Sequence, residues 1–149
     1  MTTSTFFRKT SLAFLLCISS GLSAQAQMPS TNDSLYQGLG NKEGVAKIVN
    51  EFVIQLLADQ RIAQHFSKMN KEQFSQAMND FICELAGGSC QYQGKDMYEA
   101  HQGMGISNAQ FNAVAEDLQI AMEKNHVPSS VANKLIAKLA PMQRPIVSK

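Results

Sequence analysis

The sequence predicts a single all-α domain, and three features of the chain support that fold class. Apolar residues recur every three or four positions in most segments after residue 34, which is the period of an amphipathic helix. No segment shows the two-residue alternation that is typical of a β-strand. The chain has 149 residues, a length that suits one domain, and it contains no internal repeats.

The first 26 residues have the three regions of a secretory signal peptide. Arg8 and Lys9 precede an apolar stretch from Leu12 to Leu22, and Ala24-Gln25-Ala26 is a small-x-small cleavage pattern. The apolar stretch is about half the roughly 20 residues that span a bilayer. We therefore expect cleavage after Ala26 and an exported protein, periplasmic or secreted, without a stable membrane anchor. An uncleaved anchor is the alternative.

Cleavage would leave a flexible leader at 27–33 and a globular domain at 34–149. Export would also place the two remaining cysteines, Cys83 and Cys90, in a compartment where disulfides persist. Their Cys-x6-Cys spacing does not suit a zinc knuckle. We expect a Cys83–Cys90 bridge, and two free buried thiols are the alternative.

Residues that start or stop helices separate the apolar segments of the domain. In chain order, the predicted helices run from Asp33 or Ser34 to Gly38, Val45 to Leu57, Asp59 to Phe66, Asn70 to Gly87-Gly88, Asp96 to Gln102, Ser107 to Met122, and Pro128 to Pro141. Asn70 and Ser107 are preferred N-caps, and Gly87-Gly88 favours a helix end. Pro128 is typical of a helix start, and Pro141 is expected to stop the last helix.

The charges of the chain nearly cancel, with 13 basic and 12 acidic side chains. This balance gives no electrostatic reason to expect a nucleic acid or an anionic membrane surface as a partner. The sequence also lacks a P-loop, a Gly-x-Ser-x-Gly elbow and a His-Glu-x-x-His pair.

The histidines are the candidate metal ligands, and His101 has the most informative setting. It ends a short predicted helix and precedes Gln-Gly-Met-Gly-Ile, whose glycines allow the backbone to turn closely beside a flat ligand. A haem needs one neutral imidazole on its iron and apolar walls around the porphyrin. An ordinary core or surface histidine is the alternative for His101, as it is for His65 and His126.

A set of short motifs stands in order around His101. The motifs are Ser34–Gly40, Lys42–Val45, Phe52, Leu57–Asp59, Phe66, Ala86–Gly88, Tyr92–Gly94, Met97–Ile106, Val127-Pro128 and Pro141. At this spacing they resemble the group I truncated haemoglobins over about residues 34–142. The resemblance implies a two-over-two helical sandwich around haem b. In it, the helices holding Val45–Leu57 and Phe74–Leu85 form one pair and the last two helices form the other.

The resemblance also implies roles for individual residues. His101 matches the proximal ligand of the haem iron, and Phe66 matches the residue that packs on the porphyrin face. The other residues expected to contact the haem are Phe74, Met78, Phe81, Met97, Ile106, Phe111 and Val114. Ordinary core packing is the alternative for all of these apolar positions.

The distal side of the expected pocket departs from the family pattern. Val53 stands where a Tyr is usual, and Met78 stands where a Gln is frequent. The expected distal wall is Val53, Phe74, Met78, Phe81 and Ile82, and none of these side chains donates a hydrogen bond. We therefore expect O2 to leave faster than it does from family members with a donor, and we expect NO and CO to depend less on the change.

Polar groups at the expected haem edge are less clearly assigned. Lys68, Lys71 and Lys95 are candidate propionate partners by charge, His65 by position, and Tyr92 as a hydrogen-bond donor. For each of them, a solvated surface position is the alternative.

The resulting prediction is a haem protein, a monomer or weak dimer, that reversibly binds O2, NO or CO and is not a dedicated enzyme. The alternative is a redox enzyme or electron carrier for NO or peroxide turnover, with Met78 as a possible second iron ligand. A haem-free helical interaction module is a third hypothesis. The sequence identifies no reductase partner.

Overall fold

The computed structural model describes Met1 and residues 33–148. The predicted signal peptide at 1–26 and residues 27–32 of the predicted leader lie outside this part of the chain. Within 33–148 there are helices and no strands. The helices are α1 (Asp33–Gly38), α2 (Asn41–Ala58), α3 (Ala63–Phe66), α4 (Lys71–Leu85), α5 (Met97–His101), α6 (Asn108–Lys124), α7 (Ser129–Leu139) and α8 (Gln143–Ile146).

Two of the long helices, α4 and α6, begin at the residues that the sequence indicates, whereas α2 begins at Asn41, before the predicted Val45. The Asn70 side-chain oxygen accepts a hydrogen bond of 2.9 Å from the backbone N–H of Gln73, at the start of α4. At the start of α6, Ser107 Oγ accepts from the Gln110 N–H at 3.3 Å, and Gln110 Oε1 accepts from the Ser107 N–H at 3.0 Å. This reciprocal capping box satisfies two backbone donors that a helix end would otherwise leave unpaired. Local sequence therefore sets both starts.

Three further predicted boundaries are wrong. Asp33 already belongs to α1 and not to the leader. Asp59 ends α2 and does not start α3, because its side chain accepts a hydrogen bond from the backbone N–H of Arg61 and stabilises a turn. Pro141 does not stop the helical chain, since a 3-10 turn at Ala140–Met142 and then α8 follow α7. Pro141 lies in the first turn of this new segment, where a missing N–H costs no hydrogen bond.

The helices form the predicted two-over-two sandwich. α2 packs against α4 in one layer, α6 packs against α7 in the other, and α2 also packs along α6 to join the layers. The apolar face of α2 is buried at Val45, Ile48, Val49, Phe52, Val53 and Leu56. Ala113 and Ala121 of α6 are completely buried, and such small side chains allow close helix packing. The all-α, single-domain fold is confirmed.

No helix within the described residues is both long enough and apolar enough to cross a membrane.

The two cysteines of the domain lie at the end of α4 and in the loop that follows. Their side chains face each other, and their Cα atoms are 5.8 Å apart, within the range of disulfides. Cys83 is buried, whereas Cys90 is partly exposed. A bridge here would hold the loop that leads from α4 toward α5 against the end of α4.

One acidic side chain is buried in the domain, where α6 passes the end of α2. Asp117 is 3% exposed, and its Oδ2 has no hydrogen-bond partner. The nearby guanidinium of Arg61 is already bonded to Asp59 and to Glu116, at 2.7 Å each. Burial is the main cause that raises the pKa of Asp117, and the neighbouring Asp59 carboxylate adds to it.

This burial predicts a specific effect of Asp117→Asn on the pH dependence of stability. Because the folded-state pKa of Asp117 is raised, its contribution to stability is fully present below its unfolded pKa. That contribution is lost as the pH rises through the folded pKa. We expect the melting temperature of the variant to rise relative to that of the unchanged protein as the pH is raised from about 4 to about 7. Thermal unfolding of the two holoproteins across this range measures the difference.

Asp80→Asn, a change at a partly exposed acid of α4, is the matched control and should not produce the same trend. A difference between Asp117→Asn and the unchanged protein that is constant with pH would contradict the assignment.

Candidate functional site

The short helix α5 positions His101. Asp96 caps this helix, because its side chain accepts a 2.7 Å hydrogen bond from the backbone N–H of Glu99. After His101 the chain turns through Gly103 and Gly105, at φ values of 77° and 63°. Residues that carry a side chain rarely adopt this left-handed backbone conformation, so glycine suits both positions. The result is a histidine at the last residue of a helix, followed by a sharp turn.

The ring of His101 is oriented by its own helix. Nδ1 lies 2.7 Å from the backbone carbonyl oxygen of Met97, four residues earlier. A carbonyl oxygen only accepts hydrogen bonds, so Nδ1 carries the proton and donates it. Nε2 then has a free lone pair, which is the tautomer that ligates a metal. His101 is partly buried, so the ring is held and still accessible.

The other predicted pocket residues are distributed over five segments. α3 carries Phe66; α4 carries Phe74, Met78, Phe81 and Ile82; α5 carries Met97; the loop before α6 carries Ile106; and α6 carries Phe111 and Val114. Most of these side chains are neither fully buried nor fully exposed. The structure brings five of them against one core cluster: Phe66, Phe74, Met78, Phe81 and Val114.

The aromatic residues on this surface pack edge to face. The rings of Phe66 and Phe74 are 5.8 Å apart with an interplanar angle of 72°, and such pairs are favourable beyond the area they bury. α4 packs against α2, whereas α5 packs against α8, and no extensive contact joins α4 to α5 within residues 33–148. The aromatic face of α4 therefore remains partly exposed and is available to a flat apolar group.

Two predicted distal residues lie deeper. Val53 is 7% exposed and Ile82 has no exposed surface, so both contact protein atoms behind the partly exposed face. Neither side chain has a hydrogen-bond donor.

A polar cleft of about 500 Å³ lies beside the turn that follows His101. Its lining includes Met104 and Gly105 from that turn, together with Arg61, His65 and Gln110. His65 Nε2 is 3.0 Å from Gln110 Nε2. Since the amide nitrogen donates, His65 Nε2 accepts, and the pair connects α3 to the start of α6.

Gln110 was not among the predicted site residues. Its place in the Ser107-x-x-Gln110 capping box was the only sequence signal available, and that signal concerns a helix start and not a site.

The proposed haem-edge partners differ in their surroundings. Tyr92 donates its hydroxyl hydrogen to the Lys95 carbonyl at 3.0 Å, and its ring packs on Phe81 at 5.3 Å. The hydroxyl of Tyr92 is therefore used within its own loop. Lys68, Lys71 and Lys95 are exposed.

An all-helical sandwich that carries one oriented imidazole and a partly exposed apolar face is the arrangement of a globin. The donor set fits a haem, because a porphyrin supplies four ligands of its own and requires only one from the protein.

Comparison with known proteins agrees with this class. The family model of the bacterial-like globins matches residues 34–148. The group 1 truncated haemoglobin of Tetrahymena pyriformis is 32% identical over 101 residues, which cover 68% of this chain and 84% of the relative. The group 1 truncated haemoglobin of Synechocystis is 32% identical over 111 residues, with 72% and 86% covered.

The crystal structure of the Tetrahymena pyriformis protein in its Fe(III) form has a TM-score of 0.75 and 29% identity to this chain. It covers 77% of this chain and 98% of its own. The chain belongs to the bacterial-like globin family, in the branch of the group 1 truncated haemoglobins, and is a haem-binding globin.

Proposed function

We propose that this globin binds haem b without a covalent link, with His101 as the protein ligand of the iron, and that it reversibly binds O2, NO and CO. The observation that carries the proposal is the 2.7 Å hydrogen bond between His101 Nδ1 and the Met97 carbonyl. It leaves Nε2 unprotonated and makes it a better donor to a metal. When bound, haem supplies an iron atom with one further coordination position for a diatomic gas.

The residues around the site have separate tasks in this proposal. Phe66 and Phe74 provide an apolar surface for the porphyrin, and Met97 and Ile106 provide apolar surface near His101. His65 and Arg61 are the basic side chains that line the polar cleft, together with residues of the turn that follows His101. This division suits a ligand with an apolar ring and acidic substituents.

The distal residues determine which gas is held. Val53, Met78 and Phe81 are apolar, exclude water from the ligand and offer it no hydrogen bond. O2 becomes a better hydrogen-bond acceptor when it binds iron, whereas CO changes little. A wall without donors therefore favours fast, reversible exchange of O2 over its retention.

We also propose that the protein is exported and acts in the periplasm or outside the cell. The signal-peptide pattern at 1–26 supports export. The geometry of Cys83 and Cys90 supports a disulfide, and disulfides persist in such compartments. On the chain-entropy model, so short a loop contributes at most about 2.5 kcal/mol to the free energy of unfolding.

Replacement of His101 by Ala should abolish the Soret band of the purified holoprotein or greatly weaken haem retention, because no other side chain supplies the ligand in this proposal. Optical spectra and haem titration of the variant protein measure both effects. His126→Ala removes an exposed histidine that follows α6 and is the matched control. Added imidazole should restore a histidine-like spectrum to His101→Gly. An unchanged Soret band in His101→Ala would refute the assignment.

Replacement of Met78 by Gln should slow O2 dissociation by about 5- to 150-fold, the equivalent of one new hydrogen bond of about 1–3 kcal/mol. CO dissociation should change little. Flash photolysis and stopped-flow mixing measure the two rates. Met142→Gln, in the 3-10 turn after α7, makes the same chemical change elsewhere. Equal effects of the two variants, or no effect of Met78→Gln, would contradict the proposed distal wall.

Protein recovered from the periplasm or medium of expressing cells should begin at Gln27, because cleavage follows Ala26. Its intact mass should be two hydrogens below that of the reduced chain. A thiol-alkylating reagent under denaturing conditions should modify Cys83 and Cys90 only after reduction. N-terminal sequencing and mass spectrometry measure these properties. An intact N-terminus, or alkylation without reduction, would disprove the corresponding part of the proposal.

A further inference from the structure

Two isoleucines are exposed on the outer surface of the α2–α6 pair. Ile54 of α2 is 58% exposed and Ile120 of α6 is 37% exposed. A single exposed apolar side chain is ordinary in proteins. Two of them on adjoining helices, bordered by charged residues, form the kind of patch that marks an interaction surface.

Contacts between the two helices place these isoleucines beside each other. Lys124 Nζ lies 2.6 Å from Glu51 Oε1, and Arg61 Nη1 lies 2.7 Å from Glu116 Oε2. The two helices therefore run antiparallel. Ile54 follows Glu51 by three residues, and Ile120 lies midway between Glu116 and Lys124, so both isoleucines lie between the two ion pairs. The α2–α6 patch is defined by Glu51, Ile54, Arg61, Glu116, Ile120 and Lys124.

The order of charges makes the α2–α6 patch complementary to itself. On the α2 side the order is acidic, apolar and basic, at Glu51, Ile54 and Arg61. On the α6 side, read in the same direction, the order is basic, apolar and acidic, at Lys124, Ile120 and Glu116. A two-fold axis parallel to the helices places the α2 side of one copy over the α6 side of the other. Each carboxylate then faces a cation, and each isoleucine faces an isoleucine.

We propose that the α2–α6 patch is the interface of a homodimer, with a second copy of this chain as its occupant. In this dimer Ile54 of each copy packs on Ile120 of the other. Glu51 of each copy faces Lys124 of the other, and Arg61 faces Glu116. In this contact the same surface of each copy meets its counterpart, as in every two-fold symmetric dimer, which is the commonest kind of oligomer. No residue of the patch belongs to α5, so the dimer leaves the His101 helix outside the interface.

The size of the patch sets the strength of the dimer. At 1.5 Å per residue, the 18 residues of α2 extend about 27 Å. Two helices about 10 Å apart present a face about 20 Å wide, so the outer face of α2 and α6 offers about 500 Å² per chain. Standard stable interfaces bury about 800 Å² per partner. The dimer therefore dissociates on dilution, and added salt weakens it because four of the six patch residues are charged and lie near solvent.

Sedimentation velocity on the holoprotein tests the interface. In about 0.02 M salt, the weight-average mass should rise from one chain toward two as the concentration increases from about 10 µM to about 1 mM. In about 0.5 M salt it should stay closer to one chain. Ile54→Gln and Ile120→Gln should each raise the dissociation constant about ten-fold. A holoprotein that is monomeric at every concentration in low salt would overturn the proposal and leave another occupant for the patch.

Charge reversal tests the arrangement of the two copies. Lys124→Glu places two carboxylates opposite each other across the interface, and Glu51→Lys places two cations there, so each variant alone should be monomeric. In a mixture, each carboxylate of the first variant faces a cation of the second, and the dimer should return. Lys134→Glu on α7 makes the same charge change at an exposed site and should dimerise normally.

Mixed variants that remain monomeric, or single variants that still dimerise, would overturn the proposed contacts. The Soret band of each variant verifies that the globin is folded, independently of its mass.

Discussion

The burial of α2 is the constraint on which the rest of the structure depends. This helix contacts α4 on one side and α6 on another, so its apolar face must pack against two helices at once. The small side chains of Ala113 and Ala121 on α6 permit the close approach. Because α3 follows α2 directly, the same packing brings Phe66 beside Phe74 of α4. The apolar side of the proposed haem site is therefore a consequence of how α2 is buried.

The proposed proximal side, around His101, is assembled differently. α5 has five residues, far fewer than an isolated helix needs to be stable in water. Asp96 caps its start, and α8 packs against it from the end of the chain. The backbone N–H of Ser148 also donates to the Ile106 carbonyl at 3.0 Å, next to the turn that follows His101. The C-terminal segment thus supports the histidine that the proposed function requires.

The two sides of the site also differ in polarity. The α4 surface is aromatic and aliphatic, whereas His65, Gln110 and Arg61 make the neighbouring cleft polar. Arg61 is shared between roles, because it holds Asp59 and Glu116 together and lies at the edge of that cleft. The ion pairs lower the pKa of Asp59 through hydrogen bonds from Arg61. Asp117, which is buried nearby, has no such partner, and its pKa is raised.

The sequence by itself determined the helices from α1 to α7, the position of His101 and the family. Helical period and local caps such as Asn70 and Ser107 depend on residues close in the chain, so they can be recognised without the fold. The identity of His101 as the candidate ligand followed from its glycine-rich surroundings and the ordered motifs. The wrong predictions also concerned local features of the sequence. Pro141 is typical of a helix end, yet it also suits the first turn of a new helical segment.

Only the tertiary structure decided which distant residues meet. The contact of His65 with Gln110 joins positions 45 residues apart, and the packing of α8 on α5 joins the end of the chain to the histidine helix. The burial of Asp117 and the exposure of Ile54 beside Ile120 likewise depend on how α2 lies on α6. Side-chain type and spacing within one helix do not specify such pairings, because they arise from the relative placement of whole helices in the core.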